Sequence, residues 1–149
     1  MKDNPILRVA SKILFAPTIV YGLYVQFHGD YGPGGGFQAG VIVAAAFVLH
    51  GLIFGIASTK KVAPPTIVHT LMALGVLVYG GVGVVSMMLG GLYLDYNVLA
   101  DKAATGQHIG IILVEFGVGL TVASTVLALF YTFAGFDETR QKKMESPNV

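Results

Sequence analysis

Residues 109–133 read IGIILVEFGVGLTVASTVLALFYTF and contain a single charged side chain, Glu115. A helix needs about 20 predominantly apolar residues to cross the hydrocarbon core of a bilayer, and this stretch is long enough to do so. Three further apolar segments lie upstream of it, at about 13–27, 37–57 and 67–92. We therefore predict an all-α integral membrane protein with four transmembrane helices.

The composition of the whole chain agrees with this prediction. Of its 149 residues, 54% are hydrophobic and 11% are charged, less than half of the roughly 25% that is typical of a soluble domain. Sixteen of the seventeen charged residues lie in short polar stretches outside the apolar segments, and the seventeenth is Glu115. The net charge of +1 provides no basic face for nucleic acid, and the absence of cysteine excludes disulfides and thiol nucleophiles.

The first apolar segment is short and contains Pro17, which can kink a helix. Residues 4–12 are mixed in character and could extend this segment through the headgroup region. Its basic start is also typical of a secretory signal, but no small-x-small cleavage site follows. We expect an uncleaved first span.

The lysines and arginines predict the orientation. Eight of the nine lie in the N-terminal stretch, in the 58–66 loop or in the C-terminal tail, which share one side of a four-span protein, and only Lys102 lies on the other. Such a bias places both termini in the cytoplasm. We expect one membrane domain over residues 1–136, in the cytoplasmic (inner) membrane, and a polar cytoplasmic tail over residues 137–149.

The glycines form the second notable pattern. Several glycines pair at a four-residue spacing that lets helix backbones approach closely, among them Gly36/Gly40, Gly51/Gly55 and Gly106/Gly110. Further glycines lie within the third segment, including those at positions 75, 80, 81 and 83. Close packing among the four helices and packing against other subunits are both open explanations.

Glu115 is the only acidic residue within an apolar segment. It lies six residues beyond Ile109, roughly 9 Å along a helix. A carboxylate at that depth is costly unless it is protonated, paired or hydrated. Glu115 is therefore our first candidate for a cation or proton station. The alternative is a neutral side chain that hydrogen-bonds to a neighbouring helix.

His50 is the second candidate for an ion or proton pathway. It lies seven residues from the end of the second segment, roughly 10 Å deep, and imidazole can exchange protons near neutral pH. A packing role, with the ring bonded to a backbone carbonyl, is the alternative. The four histidines lack metal-ligand spacing, and we find no nucleophile, base or paired-carboxylate arrangement. We predict no metal, no cofactor and no catalytic site.

The run Gly32-Pro33-Gly34-Gly35-Gly36-Phe37 immediately precedes the second segment. Its glycines formally match a loose dinucleotide fingerprint, but the acidic residue that would hold the ribose is absent, so we reject nucleotide binding. We expect a tight turn that exposes the first amides of the second helix. Such amides can attract an anion, a carboxylate or water, although a simple connecting turn is an equally good explanation.

The longer run from His28 to Val41, HGDYGPGGGFQAGV, resembles the signature of the MnhB/MrpB-like subunit of the multi-subunit Mrp/Mnh-type sodium/proton antiporters. Its most specific part comprises Pro33, Gly34, Gly35, Gly36, Phe37 and Gly40. The resemblance covers about residues 5–133 and gives no role to His28, because family members often place a histidine nearer the proline.

The resemblance implies an accessory membrane subunit without catalytic activity of its own. Its partners would be other antiporter subunits, including large ones like the proton-translocating subunits of complex I, and the complex would exchange sodium for protons. Related domains also occur in energy-converting membrane hydrogenases, so the parent complex stays open. A non-conducting structural scaffold is the main alternative function, and an independent small channel is a third.

Overall fold

The computed structural model describes the backbone of residues 4–29 and 34–145, and the side chains of the same ranges as far as Phe136. The described elements are the helices α1 (Pro5–Phe27), α2 (Gly36–Phe54), α3 (Ile56–Val62), α4 (Pro65–Met88) and α5 (Ala103–Glu145), with a 3-10 turn at Tyr96–Leu99. Four of them, α1, α2, α4 and α5 as far as Phe136, are long and apolar enough to cross a membrane. The described residues contain no strand, so the predicted all-α architecture with four possible spans is confirmed.

The first span begins earlier than its apolar core. The side chain of Asn4 accepts hydrogen bonds from the amides of Ile6 and Leu7, at 3.0 and 3.4 Å, and Pro5 occupies the first turn. An asparagine cap followed by proline favours helix initiation at this point. α1 then runs without interruption through Pro17, so residues 5–12 belong to the same helix as the predicted span 13–27.

The second and third spans end where glycines adopt positive φ angles. Gly55 has φ +89°, which ends α2 three residues before the predicted boundary at 57. The stretch that we expected to be a loop, 58–66, instead begins within the short helix α3. Gly90, also at φ +89°, lies just beyond the end of α4 at Met88, where we had predicted residue 92.

The last span starts six residues before its predicted boundary at 109. The 3-10 turn before it folds against its first turns, with Tyr96 packed on Gly106 and Gly110 and with Gln107 donating to the Asn97 side chain at 3.0 Å. Gly106 and Gly110 therefore accommodate a connecting segment and not another helix. The backbone of α5 stays helical to Glu145, well beyond the end predicted at 133.

The four long helices form a row in the order α1, α2, α5, α4. α1 packs on α2, α2 on α5, and α5 on α4, and no extensive contact joins α4 to α1 or α2 among the described residues. α2 and α5 run in the same direction, because Gly36 lies beside Glu115 and Gly51 beside Phe130. We call the side where α1 turns into α2 the loop side, and the opposite side the α3 side.

Glycines bring the central helices close together. A Cβ built on Gly40 would lie 2.6 Å from the Gly119 carbonyl oxygen of α5, and one on Gly75 of α4 would lie 2.7 Å from that of Gly117. Within the part of the chain that the structure describes, in contrast, nothing lies within 4 Å of a Cβ position on Gly80 or Gly81. Internal packing thus explains the first two contacts, and the surface at Gly80 and Gly81 remains open.

Candidate functional site

The carboxylate of Glu115 packs against both described ends of the connection between α1 and α2. A Cβ built on Gly29 would lie 2.7 Å from Oε2 and 2.8 Å from Oε1, and one on Gly35 would lie 2.8 Å from Oε1. A side chain at either glycine would need the space that the carboxylate occupies. In the structure, Glu115 therefore contacts the glycine-rich signature run, although the two are separate features in the sequence.

Backbone hydrogen bonds and a glycine-only conformation hold this connection in place. The Val25 carbonyl at the end of α1 accepts from the amides of His28 and Gly35, both at 3.3 Å. Gly35 has φ +118°, a value that L side chains rarely adopt. The next residue, Gly36, packs directly on the backbone of Glu115, so a Cβ at Gly36 would collide with α5.

The electrostatic setting suits a carboxylate. Gly35 is the N-cap residue of α2, so the Glu115 carboxylate lies beside the N-terminus of that helix. The first amides of a helix form the partly positive end of its dipole, which stabilises a neighbouring negative charge. We expected these amides to attract an anion or a carboxylate, and the structure places a carboxylate of the same chain next to them.

On the loop side, the connection between α1 and α2 lies deeper than the ends of α4 and α5. Gly117 of α5 lies beside Tyr79 of α4, and α4 continues for nine residues from there to Met88, roughly 13 Å along its axis. α5 likewise begins twelve residues before Glu115, roughly 18 Å away. The carboxylate and its glycines therefore lie well below the tips of α4 and α5.

The other signature residues have different settings. Gly34 packs against the Val25 carbonyl oxygen, 3.0 Å from a Cβ position, and Gly40 packs on Gly119. Phe37 is 64% exposed on the surface of α2. Pro33 lies outside the described residues.

His50 lies near the α3 side and does not meet Glu115. Gly36, which touches Glu115, and His50 are fourteen residues apart in α2, roughly 21 Å along the helix. Nδ1 of His50 lies 2.9 Å from Oγ1 of Thr59, whose side chain is fully buried. This partner is a hydroxyl of α3, whereas we had considered a backbone carbonyl.

Aromatic rings and basic side chains surround His50. Its ring lies 4.8 Å from that of Phe54 and 5.7 Å from that of Phe15, measured between centroids. Arg8 and Lys12 of α1 lie 5.5 and 5.8 Å from the centre of the Phe54 ring, in cation–π geometry. The α3 side of the row is therefore basic and aromatic, with no acidic side chain among these contacts.

Three residues with polar or close contacts at these two ends were not singled out from the sequence. Gly29 belongs to the quoted signature run, but nothing in that run indicates which glycine touches Glu115. Thr59 stands in a predicted loop, where a buried hydroxyl is not expected. Gln26 is 8% exposed near the end of α1, and its polarity within an apolar stretch was the one signal available.

The described residues hold no group of three histidine, cysteine or acidic side chains that could bind a metal ion.

On the loop side, burial raises the pKa of the Tyr96 phenol, and the neighbouring Tyr79 and Tyr93 raise it further. This phenol stays neutral at physiological pH and serves to pack the 3-10 turn against α5.

Comparison with known proteins gives a consistent result. Residues 6–128 match a family model described as "Domain related to MnhB subunit of Na+/H+ antiporter". Proteins named as antiporter subunit mnhB2 in Staphylococcus aureus strains Newman, JH1 and COL are each 30% identical over 139 residues, which cover 91% of this chain and 98% of the relative.

The family match spans most of the chain, including α1, α2, α4 and the part of α5 that carries Glu115. The four helices that can cross a membrane fit a multi-pass membrane protein. Both results agree with the resemblance seen in the signature run. The chain belongs to the family of domains related to the MnhB subunit of Na+/H+ antiporters.

Proposed function

We propose that this chain is an accessory subunit of a multi-subunit sodium/proton antiporter in the cytoplasmic membrane, in which Glu115 serves as a cation or proton station. Its partners are the other antiporter subunits, including large proton-translocating ones, and it has no catalytic activity of its own. The observation that supports the station is the packing of the Glu115 carboxylate against Gly29 and Gly35. The family relationship supports the parent complex.

The chemistry of this arrangement favours a site for a small cation or a proton. Gly29 and Gly35 have no side chains, so the Glu115 carboxylate lies directly against the backbone of the connection, beside the partly positive N-terminus of α2. A carboxylate within a membrane segment commonly belongs to an ion pathway or a proton relay. The position of Glu115 below the tips of α4 and α5 supports a site away from the ends of these two helices.

The substitution Glu115→Gln tests the station directly. Glutamine keeps the size and the hydrogen-bonding capacity of the side chain but cannot titrate or carry a charge. In the assembled complex, we expect lower antiport activity or a shifted apparent cation affinity, with normal subunit content. Asp101→Asn is the matched control, since it removes an exposed acid from the same side of the row without touching the site.

The main alternative is a scaffold that orients neighbouring subunits and conducts nothing. One observation favours it: between the levels of Glu115 and His50, neither α2 nor α5 carries an acidic, basic or histidine side chain. A proton path across the membrane would therefore need groups of other subunits. Unchanged transport kinetics across pH in a fully assembled Glu115→Gln complex would support the scaffold and reject the station.

His50 ranks second as a pathway residue. Because Nδ1 is engaged with Thr59, a proton relay at this position would have to use Nε2. Its enclosure by Phe15 and Phe54 supports a packing role on the α3 side, so the proposal rests on Glu115.

A further inference from the structure

Two basic side chains of α1 converge on one aromatic ring at the α3 side of the row. The guanidinium carbon of Arg8 and Nζ of Lys12 lie 5.5 and 5.8 Å from the centre of the Phe54 ring, and both side chains are exposed. The two residues are four apart in α1, so they lie on the same face of that helix. We call Arg8 and Lys12 the basic pair.

The basic pair lies at the level where two spans end. α2 ends at Phe54, α4 begins at Pro65, and the short helix α3 connects them. A connection between two membrane-crossing helices lies at or beyond the edge of the hydrocarbon core, because lipid tails cannot satisfy the polar groups of an irregular backbone. Phe54 is the last residue of α2 before this connection. The ring and the two cations beside it therefore lie close to the headgroup region of one leaflet.

The positive charge of the basic pair is not balanced within the described part of the chain. The α3-side portions of the described helices and their connections, residues 4–15, 47–70 and 125–136, contain no aspartate or glutamate. The C-terminus of α2 carries roughly half a negative charge, which is less than the two positive charges beside it. Like charges four residues apart on a helix also repel each other. An anion bound at the basic pair would offset this repulsion.

We propose that the basic pair binds the phosphate of an anionic phospholipid in the leaflet on the α3 side. A guanidinium group can donate two parallel hydrogen bonds to phosphate oxygens, and the ammonium group of lysine adds a second positive charge. The Phe54 ring holds both cations at one place by cation–π attraction.

The neighbouring apolar side chains favour a phospholipid over a free phosphate ion. Val9 and Ile13 each follow a member of the basic pair in α1, and they are 57% and 66% exposed. Together with Ile6 they line a shallow apolar groove on α1. Acyl chains of a lipid whose headgroup binds the basic pair can cover this surface, whereas a free phosphate cannot. The inference goes beyond the proposed function and does not depend on it.

The test measures lipid binding to the purified full-length chain in a mild detergent by native mass spectrometry. Phosphatidylglycerol is compared with phosphatidylcholine of the same acyl chains, whose choline neutralises the phosphate charge. The wild-type chain should bind phosphatidylglycerol more tightly. Arg8→Gln and Lys12→Gln should each weaken that binding about five-fold, the factor expected for one cation at the surface of an anionic membrane. Lys12→Arg keeps the charge and should retain the binding.

Lys61→Gln is the matched control. Lys61 is exposed on α3, on the same side of the row, and within the described residues no cation–π contact joins it to a ring. Its replacement removes the same charge without touching the basic pair, so it should weaken phosphatidylglycerol binding less than either pair variant does. All these substitutions lie at exposed positions, and thermal unfolding in the same detergent should confirm that the variants are folded.

Three results would overturn the inference. Equal binding of the two lipids by the wild-type chain would show that the basic pair does not select anionic headgroups, as expected if Asp137 or Glu138 of the same chain neutralises it. Equal weakening by Lys61→Gln and the pair variants would indicate a diffuse attraction to the whole basic side. Displacement of phosphatidylglycerol by an equal concentration of glycerol phosphate, which has no acyl chains, would assign the site to a free phosphate. None of these measurements involves transport, so their failure is distinct from failure of the proposed function.

Discussion

Gly35 combines two constraints in one residue. Its φ of +118° disfavours any L side chain, and a Cβ there would lie 2.8 Å from Oε1 of Glu115. Gly90 provides a control, because it also has a positive φ of +89° and, among the described residues, nothing lies within 4 Å of its Cβ position. Both glycines have positive φ angles, but only a side chain at Gly35 would displace the carboxylate, so transport by the two variants tests the contact with Glu115.

We expect Gly90→Ala to lower the free energy of unfolding by about 1–2 kcal/mol through strain alone. Gly35→Ala should cost more than Gly90→Ala, and it should also reduce antiport activity in the assembled complex because Glu115 must move. Thermal unfolding in detergent and transport assays on the same preparations measure the two effects. Equal losses of stability, with normal transport by both variants, would show that the contact with Glu115 does not contribute to transport.

For single residues, the sequence predicts which side chains can carry charge or protons better than it predicts which residues touch each other. The position of Glu115 within a long apolar helix follows from the sequence. Its contact with Gly29 does not follow, because the two residues are distant in the chain and meet only through packing of α1 and α2 on α5. The contact between Gln26 and Gly119 was unpredictable for the same reason.

Thr59 ties two consecutive elements together on the α3 side. Its fully buried hydroxyl lies 2.9 Å from Nδ1 of His50 in α2 and donates to the Gly55 carbonyl at 3.4 Å. Gly55 is also the residue whose positive φ separates α2 from α3. The end of α2 is therefore fixed by one glycine and one hydroxyl.

Replacing Thr59 with valine should lower the free energy of unfolding by about 1–3 kcal/mol, because Nδ1 of the half-buried His50 loses its partner while the shape of the side chain at position 59 is kept. Thr59→Ser retains the hydroxyl and should lose less. Thermal unfolding of both variants in the same detergent measures the difference. If serine proves as damaging as valine, the methyl group and not the hydrogen bond stabilises this junction.

The apolar segments predicted the four spans, but their ends were fixed by features that hydropathy does not contain. Asn4 and Pro5 extend α1 into a stretch with mixed polarity. On the opposite side, packing of Tyr96 on Gly106 and Gly110 starts α5 before its apolar core. Capping side chains and docked connections thus moved the boundaries by several residues while leaving the number of spans unchanged.

At the scale of the whole molecule, the row of helices explains why so much apolar surface remains exposed. α2 and α5 each have neighbours on two sides, whereas α1 and α4 form the two edges. Leu77 and Met88 on α4 are 69% and 81% exposed. All four segments are strongly apolar, so the sequence indicated neither the order of the helices nor the open shape. A row of this kind suits a subunit that packs beside others.

The basic residues divide between the two sides of this row and predict its orientation. Arg8, Lys12, Lys60 and Lys61 lie on the α3 side, and Lys102 lies on the loop side. Basic side chains concentrate on the cytoplasmic side of membrane proteins, so the α3 side and both termini should face the cytoplasm. The Glu115 site would then open toward the exterior.

Single cysteines at Lys61 and Lys102 test this orientation, since the chain has no cysteine of its own and both positions are exposed. In intact cells, a membrane-impermeant maleimide should label Lys102→Cys and spare Lys61→Cys, which should react only after permeabilisation. The unmodified chain, which should not react, is the control for specificity. The reverse labelling would show that the loop side faces the cytoplasm. Because Glu115 lies on the loop side in either orientation, it would then receive its cation or proton from the cytoplasm.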